Sequence, residues 1–224
     1  MATTAYWGSG RGAIAPDGCP VEFYARLPLM GEPEIVHAAV PAGASVLELG
    51  CGTGRLIRAL AALEHPVHGV DESAEMLAYA GDLPTTQAAI EDVDLRRTFD
   101  VVLLASTLVN GPPPLRAAFL RACRRHVAPD GVVVLQQTAP GWFDSVTPGE
   151  RVDVGIRRVL RSVQRFDDRV EVVNDYHLDG ETWTHAFDRW RAPDLEGDLA
   201  AAGLRLDRRL TEDGVWVTAV PVAP

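Results

Sequence analysis

The chain has no lysine: its 21 basic residues are all arginine and are set against 31 acidic ones, for a formal charge of −10. That balance argues against a protein whose main partner is nucleic acid, because gripping a phosphate backbone rests on clustered basic side chains. The missing lysine, with abundant Ala, Gly, Val and Pro, points to a GC-rich bacterial coding sequence. Cysteine is also scarce. Cys19, Cys51 and Cys123 are odd in number and widely spaced, with no CxxC pair and no histidine at ligand spacing, so neither a disulfide framework nor a metal site is expected and a reducing cytoplasm fits. No stretch approaches the roughly 18 apolar residues of a spanning helix, and the opening MATTAYWGSGRG lacks an apolar signal core. A cytoplasmic protein, neither exported nor held in a membrane, is the expectation.

What is present is an ordinary globular composition, 47% apolar and 23% charged over 224 residues, enough for one well-buried domain. Short helices are expected at VEFYARLP (21–28) and EPEIVHAAV (32–40). From Ser45 a regular alternation begins: strand SVLELG, helix RLIRALAALE, strand PVHGVD, helix SAEMLAYAGD, weak strand TTQAAI, strand FDVVLLAS, helix PPLRAAFLRACRRHV and strand GVVVLQQ, with Pro129-Asp130-Gly131 as a break before the last. Strands and helices trading places at this rhythm form a doubly wound α/β domain on a parallel sheet. Asp179-Gly180 is a strong two-residue hairpin signal, so residues 150–191 read as an antiparallel insertion of about three strands. The tail, 192–224, reads as a helix and a strand hairpin on the sheet edge.

Three glycines, Gly50, Gly52 and Gly54, follow the first core strand. At that place in a doubly wound sheet a ligand lies against the strand ends, and glycine admits positive φ and close approach of backbone amides. A nicotinamide site wants GxGxxG, whose third glycine falls at Arg55, so that reading is disfavoured. A tight turn without a ligand remains the plain alternative.

The block VLELGCGTG, with Glu48 two residues before the first glycine, closely resembles the cofactor motif of class I S-adenosylmethionine-dependent methyltransferases. VHGVDESAEML supports the resemblance by placing Asp71 at the end of the second strand, and the likeness covers residues 45–137 well and the last thirty in outline. It implies a Rossmann-like, seven-stranded, mostly parallel sheet with an antiparallel last strand, a single domain over 1–224 with residues 1–44 as N-terminal lid and helices, and S-adenosylmethionine as cofactor with S-adenosylhomocysteine as product. Asp71 would hold both ribose hydroxyls, each charge-assisted bond being worth roughly 1.5–3 kcal/mol. The family's adenine-contacting acid falls at Ala89, which leaves Ile90 to stack and Glu91 or Asp92 to accept. Glu48, Gly50, Cys51, Gly52, Gly54, Asp71, Glu72, Met76, Ile90, Glu91 and Ala105 are the cofactor-binding candidates.

In that family the acceptor site draws on the N-terminal segment, the loop after the fourth strand and the insertion, which here hold Tyr6, Trp7, Tyr24, Ser106, Asn110 and Trp142, with Phe23, Thr107 and Phe143 nearby in sequence. Core packing is the alternative for each. Counting back from Asp179-Gly180 pairs Tyr176 with Trp183 and Asn174 with His185 on one face, with His177 and Thr182 on the other. A polar group on that aromatic face is satisfied or functional, which makes His185 and Tyr176 the catalytic candidates, His185 as a base titrating near neutrality. The resemblance implies methyl transfer to an O, N or C nucleophile of a small molecule, in specialised metabolism such as that of natural products or nucleotide-linked amino sugars, by a monomer or homodimer. A non-methylating cyclisation or elimination on the same cofactor, and a non-catalytic partner subunit, are the competing readings.

Overall fold

The structure is a computed structural model and describes residues 6–222. In chain order the elements are β1 (Trp7–Ser9), α1 (Val21–Arg26), α2 (Glu32–Ala39), β2 (Val46–Leu49), α3 (Arg55–Ala62), β3 (Val67–Asp71), α4 (Ala74–Leu77), β4 (Thr85–Gln87), β5 (Phe99–Leu104) and, after a short 3₁₀ turn at Leu108–Asn110, α5 (Pro113–His126). Then follow β6 (Val127–Gln136), α6 (Trp142–Ser145), β7 (Gly149–Asp153), β8 (Ile156–Arg165), β9 (Arg169–Leu178), β10 (Glu181–Trp190), α7 (Leu195–Ala201), β11 (Leu204–Arg209) and β12 (Trp216–Pro221). The chain divides into two compact units, Leu29–Pro140 with Ala192–Pro224, and Met1–Pro28 with Gly141–Arg191.

The first unit is a seven-stranded sheet in the order β11-β12-β6-β5-β2-β3-β4. β6, β5, β2, β3 and β4 pair in parallel, and β12 pairs antiparallel with both β6 and β11. Every residue of β2 is buried, as the apolar run VLEL requires of a central strand covered on both faces. Leu56, Ile57 and Leu60 form the buried side of α3. Pro113 and Pro114 start α5, where the missing N–H groups cost nothing, and Arg124, Arg125 and His126 fill its last turn, where the helix dipole favours cations.

Two expectations needed correction here. Residues 73–82 do not form one helix: α4 ends at Leu77, and the bonds Tyr79 N–H to Met76 and Ala80 N–H to Leu77 tighten the chain into turns before Gly81 at φ 65°. Pro129-Asp130-Gly131 does not precede a strand but bulges within one, because the partner of β5 jumps from Val127 opposite Phe99 to Val132 opposite Val101.

The second unit is a five-stranded antiparallel sheet in the order β1-β10-β9-β8-β7. Asp179 and Gly180, at φ 52° and 80°, make the expected two-residue turn, and the register pairs Tyr176 with Trp183 and Asn174 with His185 as the counting required. About three strands were expected; the region holds four, β7 to β10, and β1 adds a fifth at the edge. The extra hairpin turns on Val154 and Gly155, at φ 44° and 81°. A β-branched residue in left-handed backbone carries no turn signal in the sequence, which is why β7 was missed. Phe23 stacks on Tyr176 at 4.3 Å, and Trp183 is fully buried with its indole N–H on the Arg11 carbonyl at 2.9 Å. Among the described residues no helix is long and apolar enough to cross a membrane.

Leu103, fully buried in β5 between neighbours of the central sheet, gives a direct test of where this stability lies. Leu103→Ala should cost about 2–5 kcal/mol by lost transfer free energy plus the cavity left behind, read as a lower urea midpoint at unchanged slope.

Candidate active site

The chain leaves β2 through a turn made wholly in left-handed backbone at its glycines: Gly50, Gly52 and Gly54 have φ of 76°, 53° and 73°. The turn is pinned to β3 by the Gly50 and Cys51 amides, which both donate to the Val70 carbonyl at 2.7 and 2.9 Å. A Cβ on Gly50 would stand 2.5 Å from Leu108 Cδ1, and one on Gly54 3.1 Å from Ala80. Gly52 differs, since its Cβ would meet only Met76 Sδ at 3.9 Å. The middle glycine therefore borders open space, while its neighbours are hemmed in.

Asp71 ends β3 and turns its carboxylate to this loop. One oxygen accepts the Gly52 amide at 2.7 Å and the other the Ser73 amide at 3.0 Å. A carboxylate oxygen can accept more than one hydrogen bond. Ser73 caps α4 by accepting the Met76 amide at 3.1 Å, so acid, cap and buried Met76 are set by one local hydrogen-bonded turn.

Glu48 is the unusual group. It is buried at 4% exposure at the end of β2, and its Oε2 has no hydrogen-bond partner. Burial pushes its pKa up to about 8, only partly offset by the positive charge of Arg55 and the Ile57 amide. Arg55 itself pairs with Glu32 at 2.9 Å, and Glu32 also takes the Met30 amide. The aliphatic alternative at position 48 would pack without this desolvation cost, so an orphaned buried carboxyl beside an open glycine asks for a cationic or donor group from a ligand. An S-adenosylmethionine molecule offers both complements, an ammonium for Glu48 and ribose hydroxyls for Asp71. The residues present fit it.

The other cofactor candidates sort by burial. Ile90 is buried and lies 3.4 Å from the position of a Gly50 Cβ, and Ala105 is buried just after β5. Cys51 turns its thiol inward against Gly69, where burial raises its pKa above the ordinary value; the thiol also donates weakly to the Gly52 carbonyl at 3.9 Å. Glu72, Glu91 and Asp92 are exposed on turns, so the replacement for the acid missing at Ala89 is not a fixed buried carboxylate. Sequence reasoning overlooked the strain beyond β5: Ser106 and Thr107 both take positive φ, 54° and 59°, at a cost of order 1–3 kcal/mol each. Gln136 holds the Ser106 amide at 2.7 Å, and buried Asn110 spends its Oδ1 on the Thr138 amide at 2.6 Å. Neither anchor carries a local signal, because both join segments far apart in the chain.

In the antiparallel unit, His185 is buried with Nδ1 3.4 Å from the Tyr24 hydroxyl and Nε2 3.9 Å from Cys19 Sγ. Burial lowers its pKa to about 4 against the pull of Asp17, so it is neutral at pH 7. Cys19 donates to Asp17 at 3.1 Å. Tyr176 is buried under Phe23, its phenol pushed up by burial. Tyr6 donates to buried Asp188 at 2.5 Å, and Trp190 supplies that acid's second bond at 2.9 Å. Trp7 is 47% exposed, and Trp142 sits edge-on to Phe143. Tyr6, Trp7, Tyr24 and Trp142 thus belong to this unit, and Ser106 and Asn110 to the parallel-sheet unit. Among the described residues no group of three or more His, Cys, Asp or Glu is placed to hold a metal ion.

The seven-stranded sheet and its glycine turn are similar to those of S-adenosylmethionine-dependent methyltransferases, and the family described as "Methyltransferase domain" matches residues 46–131 of this chain. Among named relatives it is 37% identical, over 51% of its own length and 47% of the other's, to the dTDP-3-amino-3,6-dideoxy-alpha-D-glucopyranose N,N-dimethyltransferase of Streptomyces fradiae. It is 33% identical to a ubiquinone biosynthesis O-methyltransferase of Haemophilus ducreyi, over 42% of this chain and 44% of the relative. The chain thus spans about half the length of the curated relatives it matches. A solved amino pentose methyltransferase of Micromonospora echinaspora shares the fold at a TM-score of 0.70, with 24% identity, covering 92% of this chain and 93% of that one.

Glu48→Gln tests the buried carboxyl. Between pH 4.5 and about 8 the unfolded Glu48 is ionised and the folded one protonated, so wild-type stability falls by about 1.4 kcal/mol per pH unit from this group as pH rises. The contribution is whole below 4.5 and gone above the folded pKa. Urea unfolding at pH 5 to 8 should show the variant gaining on the wild type; parallel pH profiles would refute it.

Proposed function

We propose that this chain transfers a methyl group from S-adenosylmethionine to the amine nitrogen of a small molecule, an amino sugar being the acceptor class that best suits it. The observation that carries the cofactor side is the buried Glu48 carboxyl, whose Oε2 has no hydrogen-bond partner, beside the open face of Gly52, with Asp71 next to it. The acceptor class rests on the 37% identity to a sugar N,N-dimethyltransferase.

Asp71 would take the ribose hydroxyls, Glu48 the methionine ammonium, and the Gly50–Gly54 backbone would line the methionine end. Bound there, the cofactor supplies an electrophilic methyl on a sulfonium, so the protein's part is chiefly alignment, which can be worth roughly 7–11 kcal/mol of the barrier. Glu48 must give up its proton, or share it, as the ammonium arrives. His185 is neutral at pH 7 and too weak a base to deprotonate an alkylammonium ion. It suits the lighter task of accepting a hydrogen bond from an amine N–H and leaving the nitrogen lone pair free to react. The Tyr24 hydroxyl lies 3.4 Å from the ring's Nδ1. A cytoplasmic setting and an acceptor other than nucleic acid belong to the same reading.

Calorimetric titration with S-adenosylmethionine should give micromolar binding that weakens at least tenfold in Asp71→Ala. Incubation with amino-sugar acceptors should release S-adenosylhomocysteine. A flat titration with folded protein, or turnover without that product, would sink the proposal. His185→Gln should lower kcat at least tenfold while cofactor affinity stays within twofold of wild type; unchanged kcat would remove His185 from the reaction.

A further inference from the structure

Two acids stand near the guanidinium that opens α3, and the ion pair goes to one of them. Arg55 pairs at 2.9 Å with Glu32, the acid that opens α2, and Glu32 also takes the Met30 amide. This pair is mostly shut from water, with 9% of the Glu32 side chain and 22% of the Arg55 side chain exposed. Glu48, the other acid, feels the charge of Arg55, while its carboxyl takes the Ile57 amide in the first turn of α3. None of the guanidinium N–H donors is spent on Glu48 Oε2, which has no hydrogen-bond partner. All of these residues belong to the parallel-sheet unit.

That division is costly unless it serves a ligand. A buried carboxyl gains most by closing on a nearby guanidinium as a hydrogen-bonded ion pair. Glu48 instead keeps its proton at neutral pH, under burial and the negative charges of Asp71 and Glu32 and against the pull of Arg55. Glu32 is the better partner, since burial alone would raise its pKa but the Met30 amide and Arg55 hold it below the usual carboxylate range. We infer that Glu32 is a positioning residue for the cofactor: it holds Arg55 away from Glu48, so that the Glu48 carboxyl stays open to the ammonium of the methionine end. Without Glu32 the guanidinium turns to Glu48, the two close as an ion pair, and the ammonium finds its acceptor taken.

The inference rests on the reading of Glu48 as the ammonium's partner and deepens it, since preference for a cofactor with an intact amino-acid end then depends on a residue that does not touch the cofactor. A plain strap between α2 and α3 would behave otherwise. Loosening a strap disturbs the glycine turn as a whole, so every ligand of the turn weakens together. Releasing Arg55 onto Glu48 weakens only a ligand that carries the ammonium, and removing Arg55 as well reopens Glu48, a coupling between the two substitutions that a strap does not produce.

The test is calorimetry on the whole chain with S-adenosylhomocysteine and with 5′-methylthioadenosine, which keeps the adenine, ribose and sulfur but lacks the amino-acid end. Glu32→Ala should lose at least tenfold in S-adenosylhomocysteine affinity while 5′-methylthioadenosine stays within twofold of wild type. Adding Arg55→Met to that variant should return S-adenosylhomocysteine to within threefold of wild type. Glu32→Gln keeps an acceptor for the Met30 amide and gives up the charge, so it should show the same pattern if Glu32→Ala does not fold. Unchanged S-adenosylhomocysteine affinity in the Glu32 variants, equal losses for the two ligands, or a double variant no tighter than the single one overturns the inference. Where the nucleoside binds too weakly to titrate, the double variant decides. Failure of S-adenosylhomocysteine to bind wild type, or binding unaltered in Glu48→Gln, strikes instead at the underlying reading of the site, so the two failures are distinguishable.

Discussion

The Val70 carbonyl, accepting two consecutive amides from the turn after β2, is the contact on which the cofactor site depends. It locks the end of one parallel strand to the next and forces the intervening backbone into left-handed conformations that glycine adopts without steric cost. Once the loop is held there, Asp71 at the end of β3 is within reach of the Gly52 amide, and Glu48 at the end of β2 is sealed beneath. Ribose-binding acid, open glycine and buried carboxyl are thus three results of a single register between β2 and β3.

The strand ends around that loop hold unfavourable free energy. A buried carboxyl with one oxygen left without a partner and two non-glycine residues at positive φ after β5 are each costly. The fully buried strands around them, with Leu47, Leu49, Val101 and Leu103 all sealed from solvent, supply the surplus that tolerates this. Such local violations within an otherwise consistent fold are characteristic of sites shaped for a ligand.

The antiparallel unit follows a different logic. Its buried face mixes aromatic stacking with polar groups, Phe23 on Tyr176 beside Asn174 and His185, and a neutral imidazole at pH 7 is the consequence of that apolar setting.

Local order in the sequence determined a good deal. The strand and helix alternation, the cap at Ser73, the glycine turn with its flanking acids, and the Asp179-Gly180 hairpin with its whole register were all readable, because each depends on residues within a few positions of one another. Tertiary structure alone decided the rest. The strand at Trp7–Ser9 completing a sheet with β10, the bulge in β6 opposite β5, and the anchoring of Ser106 by Gln136 and of Asn110 by Thr138 join segments distant in the chain, where no periodicity or composition marks the partner, while the left-handed turn at Val154 is local but occupied by a residue type that does not signal it. The pairing of Glu32 with Arg55 belongs with the distant joins: each residue opens a helix legible in the sequence, but only the packing of α2 beside α3 brings acid and base together.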